Sequence, residues 1–506
     1  MDREQRMVAE EGSGHDTVGK LLEGLGSPIK RASAWCAGST MASTHAKEGT
    51  SLRAIDPVVA ELVTRELHRQ EEKVILIPSE SRPHPAVLEA LASPFTSLYA
   101  EGYPPSRLRE SSLDELTYAE NHLKVHRRHG NCRFYQGTEF ADLIECVAER
   151  RTAECFATKD CPADRIRVNV QPLSGSVANL AVYEALLEPG DRMMAMALTE
   201  GGHLSHGSPY SVVGKRYRAV SYGTDPKTGR LDYDGMRRLA KTHRPKLLVG
   251  GFTSYPWQPD WARFREIADE VGAILSADIA HTAGMVIGGV YPNPVGIADV
   301  VTFTTHKTLC GPRGAVILST DRKISRCLDK AVFPGLQGGP HVNKIAAIAV
   351  AMRLAQSDYF HALQYRIVEN ARQLAASLED NGLTLAYGGT DTHLLLVDLR
   401  PLGLEGNLAA RVLDHVGIVC NRNVIPGDRN GSDAHGIRLG TPWVTQRGME
   451  REEMIDLAGI IARVLTALAS CAAGAVADDL VKGPMGPELS RAARDVRAII
   501  ARVDPV

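Results

Sequence analysis

Between about residue 165 and residue 330, short apolar runs alternate with helix-like stretches, and this alternation constrains the fold more than any other feature. RVNVQPL, DRMMAMAL, PKLLVGGF, GAILSADIA, ADVVTFTT and GAVILS read as strands. Between them lie amphipathic segments such as NLAVYEALLEPG, which stops at Pro189-Gly190, and WARFREIADEVG. Strands separated by helices cannot pair through tight hairpins, so the expected core is an α/β unit with a mostly parallel sheet covered by helices. After Gly339 the pattern turns helical (NKIAAIAVAMRLAQ, YRIVENARQLAASLEDNG), then gives a short strand, HLLLVDL, and more helix to about residue 470. A smaller C-terminal α+β domain is the expectation.

Four segments are expected: a flexible extension over 1–50, an arm and large domain over 51–340, a small domain over 341–475, and a tail or helix over 476–506. Gly14 and Gly19-Lys20 in the extension resemble a phosphate-binding loop, but Leu21 stands where a Ser or Thr is required and no strand precedes it. Ordered structure is expected to begin with a helix over residues 54–73. The 58 basic and 60 acidic residues leave a net charge of −2, which gives no reason to expect nucleic acid or an anionic membrane as partner. No run reads as a membrane-spanning helix and the acidic N-terminus lacks the apolar centre of a secretory signal. Nine cysteines, none in CxxC spacing, suit reduced thiols in a cytoplasmic protein.

One lysine is out of place. Lys307 follows the strand ADVVTFTT directly, inside TTHKTLCGPRG, at the C-terminal end of what reads as a buried parallel strand. Asp278 ends the preceding strand. Both therefore stand where open α/β sheets bind ligands. Ser174, Gly175 and Ser176 open the helix after an earlier strand, where free N–H groups and hydroxyls suit a phosphate. His203 and His206 lie in the glycine-rich GGHLSHG; no third ligand at zinc-like spacing accompanies them, and no metal is expected. A phosphate seat, a buried carboxylate and a strand-end lysine are the three groups that pyridoxal 5′-phosphate needs.

NVQPLSGSVANLAVYEALLEPGDR, GGHLSHGS, DIAHTAGMVIGGVYPNPVGIADVV, TTHKTLCGPRG, FPGLQGGPH and GIRLGTP together resemble serine hydroxymethyltransferase, motif after motif in the same order over about residues 55–470. The resemblance implies the aminotransferase-like fold type I, pyridoxal phosphate as cofactor, a small amino acid (serine, glycine or threonine) as substrate, tetrahydrofolate as co-substrate, and a homodimer or dimer of dimers with shared active sites. It implies that Lys307 binds the cofactor covalently, that His203 stacks on the pyridine ring, and that His281 and Thr253 lie near the cofactor's phenolic oxygen. Thr304 and His306 match neighbours of the lysine. Arg438 resembles the arginine that grips the substrate carboxylate, and Ser79 a substrate-contacting serine. Gly338 and Gly339 match glycines that approach the phosphate from the partner subunit. In YAEGYP, Tyr99 and Glu101 resemble the active-site tyrosine and acid–base glutamate; cleaving a β-hydroxy amino acid requires a proton to leave the β-hydroxyl, which a carboxylate can take. Tyr135 and Asn423 match residues at the folate side.

The pattern also departs from the family. Residues 105–132 read as an insertion, with a capping box at Ser112 and Glu115, Leu113, Leu116 and Leu123 on one face, and Gly130 as its stop; a lid and a peripheral bulge are equally open readings. Phe134 replaces a family tyrosine, and Ser81 and Arg82 stand where Asn and an aromatic are usual. Two rivals follow: a folate-independent threonine transaldolase or aldolase that passes a glycyl carbanion to another aldehyde, and a non-catalytic homologue.

Overall fold

The computed structural model describes residues 51–129, 132–429, 434–471 and 485–503. The extension over 1–50, with its Gly14 and Gly19-Lys20 motif, and Gly130 lie outside the described residues. The expected first helix is split. Pro57 cannot continue a helix from Asp56, whose Oδ1 accepts from the N–H groups of Val58 and Val59 and starts helix α1 (Pro57–Glu72) afresh after a short turn, Leu52–Ile55. Strand β1 (Val74–Ile75) follows.

The insertion forms three helices, α2 (Ser106–Arg109), α3 (Leu113–Thr117) and α4 (Ala119–His129). The Ser112–Glu115 capping box is made in both directions. Leu108 and Leu116 pack with Leu143 and Cys146 on helix α5 (Glu139–Phe156), so the insertion is moored along that helix.

The main sheet and its helices come next: β2 (Arg167–Asn169), α6 (Gly175–Leu186), β3 (Arg192–Met196), β4 (Arg218–Tyr222), β5 (Leu247–Gly251), α7 (Trp261–Val271), β6 (Ile274–Asp278), β7 (Val300–Thr304) and β8 (Ala315–Ser319). The strand order is β2-β8-β7-β6-β5-β3-β4. From β4 to β7 every pairing is parallel; β8 runs antiparallel to both β7 and β2. Strand β4 is the one that pattern reading missed. It is an edge strand with Arg218 and Ala219 exposed and Tyr222 buried, so it lacks the continuous apolar run of its neighbours.

Two long helices, α8 (Val342–Ala355) and α9 (Asp358–Asp380), lead to a four-stranded antiparallel sheet made of β9 (Thr384–Leu385), β10 (Leu394–Asp398), β12 (Asn421–Asn423) and β13 (Gly436–Gly440), in the order β12-β13-β10-β9. Strand β11 (Ile418–Val419) pairs in parallel with β1, which brings Val74 and Leu76 into the core around this second sheet. Ile345, Ile348 and Met352 of α8, by contrast, belong to the core of the main sheet. Helices α10 (Arg451–Cys471) and α11 (Gly486–Val503) close the second core. By length and composition α10 could cross a membrane, against the expectation from sequence. Its Leu457, Ile461, Val464, Leu465 and Leu468 are fully buried in the second core, which accounts for its apolar character. The eight cysteines among the described residues are unpaired.

Candidate active site

Adjacent parallel strands β6 and β7 pair Asp278 with Thr302, so Asp278 and the turn carrying Lys307 leave the same edge of the sheet side by side. The turn is tied down through its backbone: Thr305 N–H donates to Gly314 O, Gly311 N–H to Thr305 O, and the Ser81 hydroxyl contacts the carbonyls of His306 (3.0 Å) and Lys307 (2.8 Å). Burial pushes the Lys307 ammonium down to about 8, against the attraction of Asp278 and with the repulsion of Arg438 and Arg313. A strand-end amine is thus held ready to act as a nucleophile near neutral pH.

Asp278 is a fixed anion. Burial would raise its pKa, but the hydrogen bond and charge of His206 and the hydrogen bond from Asn179 hold the carboxyl well below its usual range. His206 Nε2 and Asn179 Nδ2 meet Oδ2 at 2.9 and 2.8 Å, and the Ala280 N–H meets Oδ1 at 2.9 Å. Thr302 in turn donates to Asn179 Oδ1 at 2.7 Å, which fixes the amide's orientation. Gly251 makes room for this packing: a Cβ there would lie 2.7 Å from Asp278 Cβ and 2.8 Å from His206 Cε1.

His203 is a neutral ring. Its Nδ1 accepts the Ser205 N–H at 3.1 Å and meets the Ser205 hydroxyl at 2.7 Å, which leaves the proton on Nε2. Burial drives its pKa down to about 4, helped by His206. His281 is likewise held neutral by burial and shares a proton with His393 at 3.1 Å. His306 is pushed down to about 4 by burial, and its Nδ1 has no hydrogen-bond partner. Thr304 donates to Ala280 O at 3.0 Å, and its methyl group abuts the start of α6, 2.7 Å from where a Gly175 Cβ would stand.

Ser174 occupies the N-cap of α6 yet makes no side-chain cap bond, so its hydroxyl and the exposed Ser176 are unspent at a helix N-terminus. The loop leading there is supported by buried Lys344, whose ammonium donates to the carbonyls of Val170, Gln171 and Pro172 at 2.9–3.0 Å.

Arg438, on β13, is the buried cation. Burial lowers it to about 10, and its hydrogen-bond partners are two neutral oxygens, Thr253 O (2.7 Å) and Asn421 Oδ1 (3.1 Å). Among the described residues it has no carboxylate partner, so the guanidinium is poised to take one from a ligand. Ser79 follows Pro78, which lies against Gly440 of the same strand. Asn423 sits on β12 two residues from Asn421, with its Nδ2 donating to Val424 O.

A second set lies apart. Tyr99 and Tyr135 have ring centroids 4.8 Å apart, and Tyr99 flanks Gly339 while Glu101 Oε1 flanks Gly338. Tyr99, Phe134 and Tyr135 are 54%, 76% and 41% exposed, so this aromatic group faces outward. Arg133 fixes the loop: it donates to the carbonyls of Ala100 and Gly102, on either side of Glu101, and pairs with Asp142 and Glu145 of α5 at 2.6 and 2.7 Å. Among the described residues, no hydrogen bond, ion pair or ring contact joins Tyr99, Glu101, Phe134 or Tyr135 to Lys307, Asp278 or Arg438.

Sequence reasoning missed the supporting residues Asn179, His393, Asn421, Arg133 and Lys344, and it did not give His206 its place on Asp278. Asn179 had a signal, being an amide within the apolar helix GSVANLAVYEAL. His393 had none.

The comparisons decide the family. The serine hydroxymethyltransferase family model matches residues 52–115 and 119–461. The chain belongs to the serine hydroxymethyltransferase family. A serine hydroxymethyltransferase of Acidothermus cellulolyticus is 48% identical over 420 residues, covering 83% of this chain and 90% of that protein. Family membership makes the chain a fold type I α/β transferase, and the order β2-β8-β7-β6-β5-β3-β4, with helices on the sheet, carries that fold here.

Proposed function

We propose that this protein interconverts serine and glycine by moving the hydroxymethyl carbon to tetrahydrofolate, with pyridoxal 5′-phosphate as its cofactor. The observation that carries the reading is that half-buried Lys307 and Asp278 stand at the same sheet edge within each other's field and that of Arg438, which has no carboxylate partner among the described residues. The residues fit the cofactor: an amine near neutrality, an anion that stays ionised, a neutral ring at His203, and a helix N-terminus with an unspent serine. When bound, pyridoxal phosphate supplies an electron sink for the pair left at Cα as the Cα–Cβ bond breaks.

Lys307 holds the cofactor through its amine. Asp278 keeps the proton on the pyridine nitrogen, and His203 covers the ring. Ser174, Gly175 and Ser176 take the phosphate, with Gly338 and Gly339 of a second copy. His281, Thr253, Thr304 and His306 shape the remaining wall. Arg438 and Ser79 orient the amino acid through its carboxylate. Glu101, with Tyr99, moves the proton at the β-hydroxyl, and Tyr135 and Asn423 lie on the folate side.

In this reading the site is shared by two copies of the chain, each giving its Tyr99–Glu101 loop to the other's Lys307 set. The outward-facing Tyr99, Phe134 and Tyr135 support it, as does the apolar face of α1, where Val58, Leu62 and Val63 are 68%, 60% and 57% exposed. Unpaired described cysteines favour a reducing, cytoplasmic setting. The family match and the named relative favour tetrahydrofolate over another aldehyde as acceptor.

The test is an absorbance scan of cofactor-loaded protein with glycine, with and without tetrahydrofolate, beside a Lys307→Ala variant. A long-wavelength band that rises sharply with folate and is absent from the variant is expected. A strong band with threonine that folate does not change would replace this function by the transaldolase.

A further inference from the structure

The insertion carries a feature that the active site does not use. His122 and His126 stand four residues apart on α4, on one helix face, opposite Asp142 in the first turn of α5. One donor atom from each of the three lies within 4.8 Å of the others. Glu139, one turn before Asp142 on α5, brings Oε2 to 3.8 Å from His126 Nε2.

Two of these groups are left without a good partner in the interior. His122 is 8% exposed, and neither ring nitrogen reaches good hydrogen-bond geometry, although the Glu139 backbone lies close enough to favour its charged form; Asp142 spends Oδ1 on Arg133 while its buried Oδ2 has none. A folded interior rarely leaves a buried imidazole and a buried carboxylate oxygen side by side without a partner. A tight turn or a helix cap explains none of them, because all are side-chain atoms on two packed helices.

We propose that His122, His126 and Asp142, with Glu139 as fourth ligand, bind a divalent transition-metal ion of the zinc class. Two imidazoles with one or two carboxylates suit zinc and its neighbours, whereas calcium and magnesium want oxygen alone. Metal–ligand bonds of about 2.0–2.2 Å put tetrahedral donors about 3.4 Å apart. The donors therefore close by up to about 1.4 Å on binding, within reach of side-chain rotation. Asp142 would then join two structures: its Oδ2 binds the metal while its Oδ1 holds Arg133, whose guanidinium spans the carbonyls flanking Glu101. The metal pins the insertion to α5 and stiffens the loop that carries Glu101. This inference concerns the insertion and stands independently of the function proposed above.

The test uses the full-length, cofactor-loaded protein, freed of metal with a chelator that is then removed. Zinc is titrated against a chromophoric chelator, and cobalt(II) is added separately as a spectroscopic probe. One equivalent of zinc per chain, visible cobalt bands of a four-coordinate site, and a melting temperature that rises with zinc concentration are expected. His122→Gln and His126→Gln, each checked for folding by circular dichroism and retained cofactor absorbance, should each lose the equivalent, the bands and the thermal shift. His126 is the less buried of the two, so its variant keeps the test decisive if His122→Gln misfolds. No uptake by the wild type, or uptake unchanged in His126→Gln, would overturn the site.

Discussion

Arg438 is a buried cation that the described residues leave unneutralised, and such a charge is tolerable only with a partner. Lysine at that position keeps the charge but loses the planar fork that matches a carboxylate. Arg438→Lys should therefore raise KM for serine roughly 10- to 100-fold, about 1.4–3 kcal/mol, with kcat changed far less. Steady-state kinetics reads this, and a fall in kcat at unchanged KM would remove Arg438 from the carboxylate. Lys307 gives a pH prediction. Its folded value of about 8 lies below the ordinary value of about 10.4, so below pH 8 the poorly solvated ammonium costs the cofactor-free protein stability. That cost is relieved as the pH rises from 8 towards 10.4. The neutral amine is also the form that captures the cofactor, so its uptake by cofactor-free protein should quicken with pH with a midpoint near 8. A midpoint above 10 would mean that Lys307 is not desolvated.

The phosphate seat depends on α8 as much as on α6. Lys344 of α8 donates to three consecutive carbonyls just before Ser174, and a buried ammonium with three acceptors is fully satisfied. Lys344→Met should take one donor from each carbonyl, leaving Gln171 O with Gln337 Nε2 and Pro172 O with the Ala315 N–H; it should cost about 1–3 kcal/mol in urea unfolding and quicken cofactor loss from the folded enzyme. An unchanged unfolding midpoint would mean that the loop holds itself. At this scale the sequence was legible wherever an element is buried on both faces. Strands β3, β5, β6, β7 and β8 announce themselves as apolar runs, and Asp278 and Lys307 stand out against them. The half-exposed edge strand β4 gave no such run. Lys344 and His393 were illegible for another reason: their partners lie 172–174 and 112 residues away in sequence, and two of Arg133's, both carbonyls, lie 31 and 33 residues back. Spacing along the chain cannot report such contacts.

At the scale of the whole molecule, the proposed reading gives one chain two incomplete halves. Lys307, Asp278 and Arg438 converge on one, and Tyr99, Glu101, Gly338 and Gly339 on the other, with outward-facing aromatics beside the second. The family resemblance already implied a site shared between subunits and put Gly338 and Gly339 on the partner's side, but spacing along the chain alone gave no sign of it. Mixing two inactive variants tests the shared site most directly. Lys307→Ala removes the first half and Glu101→Gln the second, and each alone should lose serine cleavage by orders of magnitude. After subunit exchange, followed with distinguishable tags, half of the dimers are mixed and each holds one intact site. The account predicts recovery to roughly a quarter of wild-type activity. Tagged subunits that exchange fully yet recover nothing would contradict it, and would place Lys307 and Glu101 in the same chain's site.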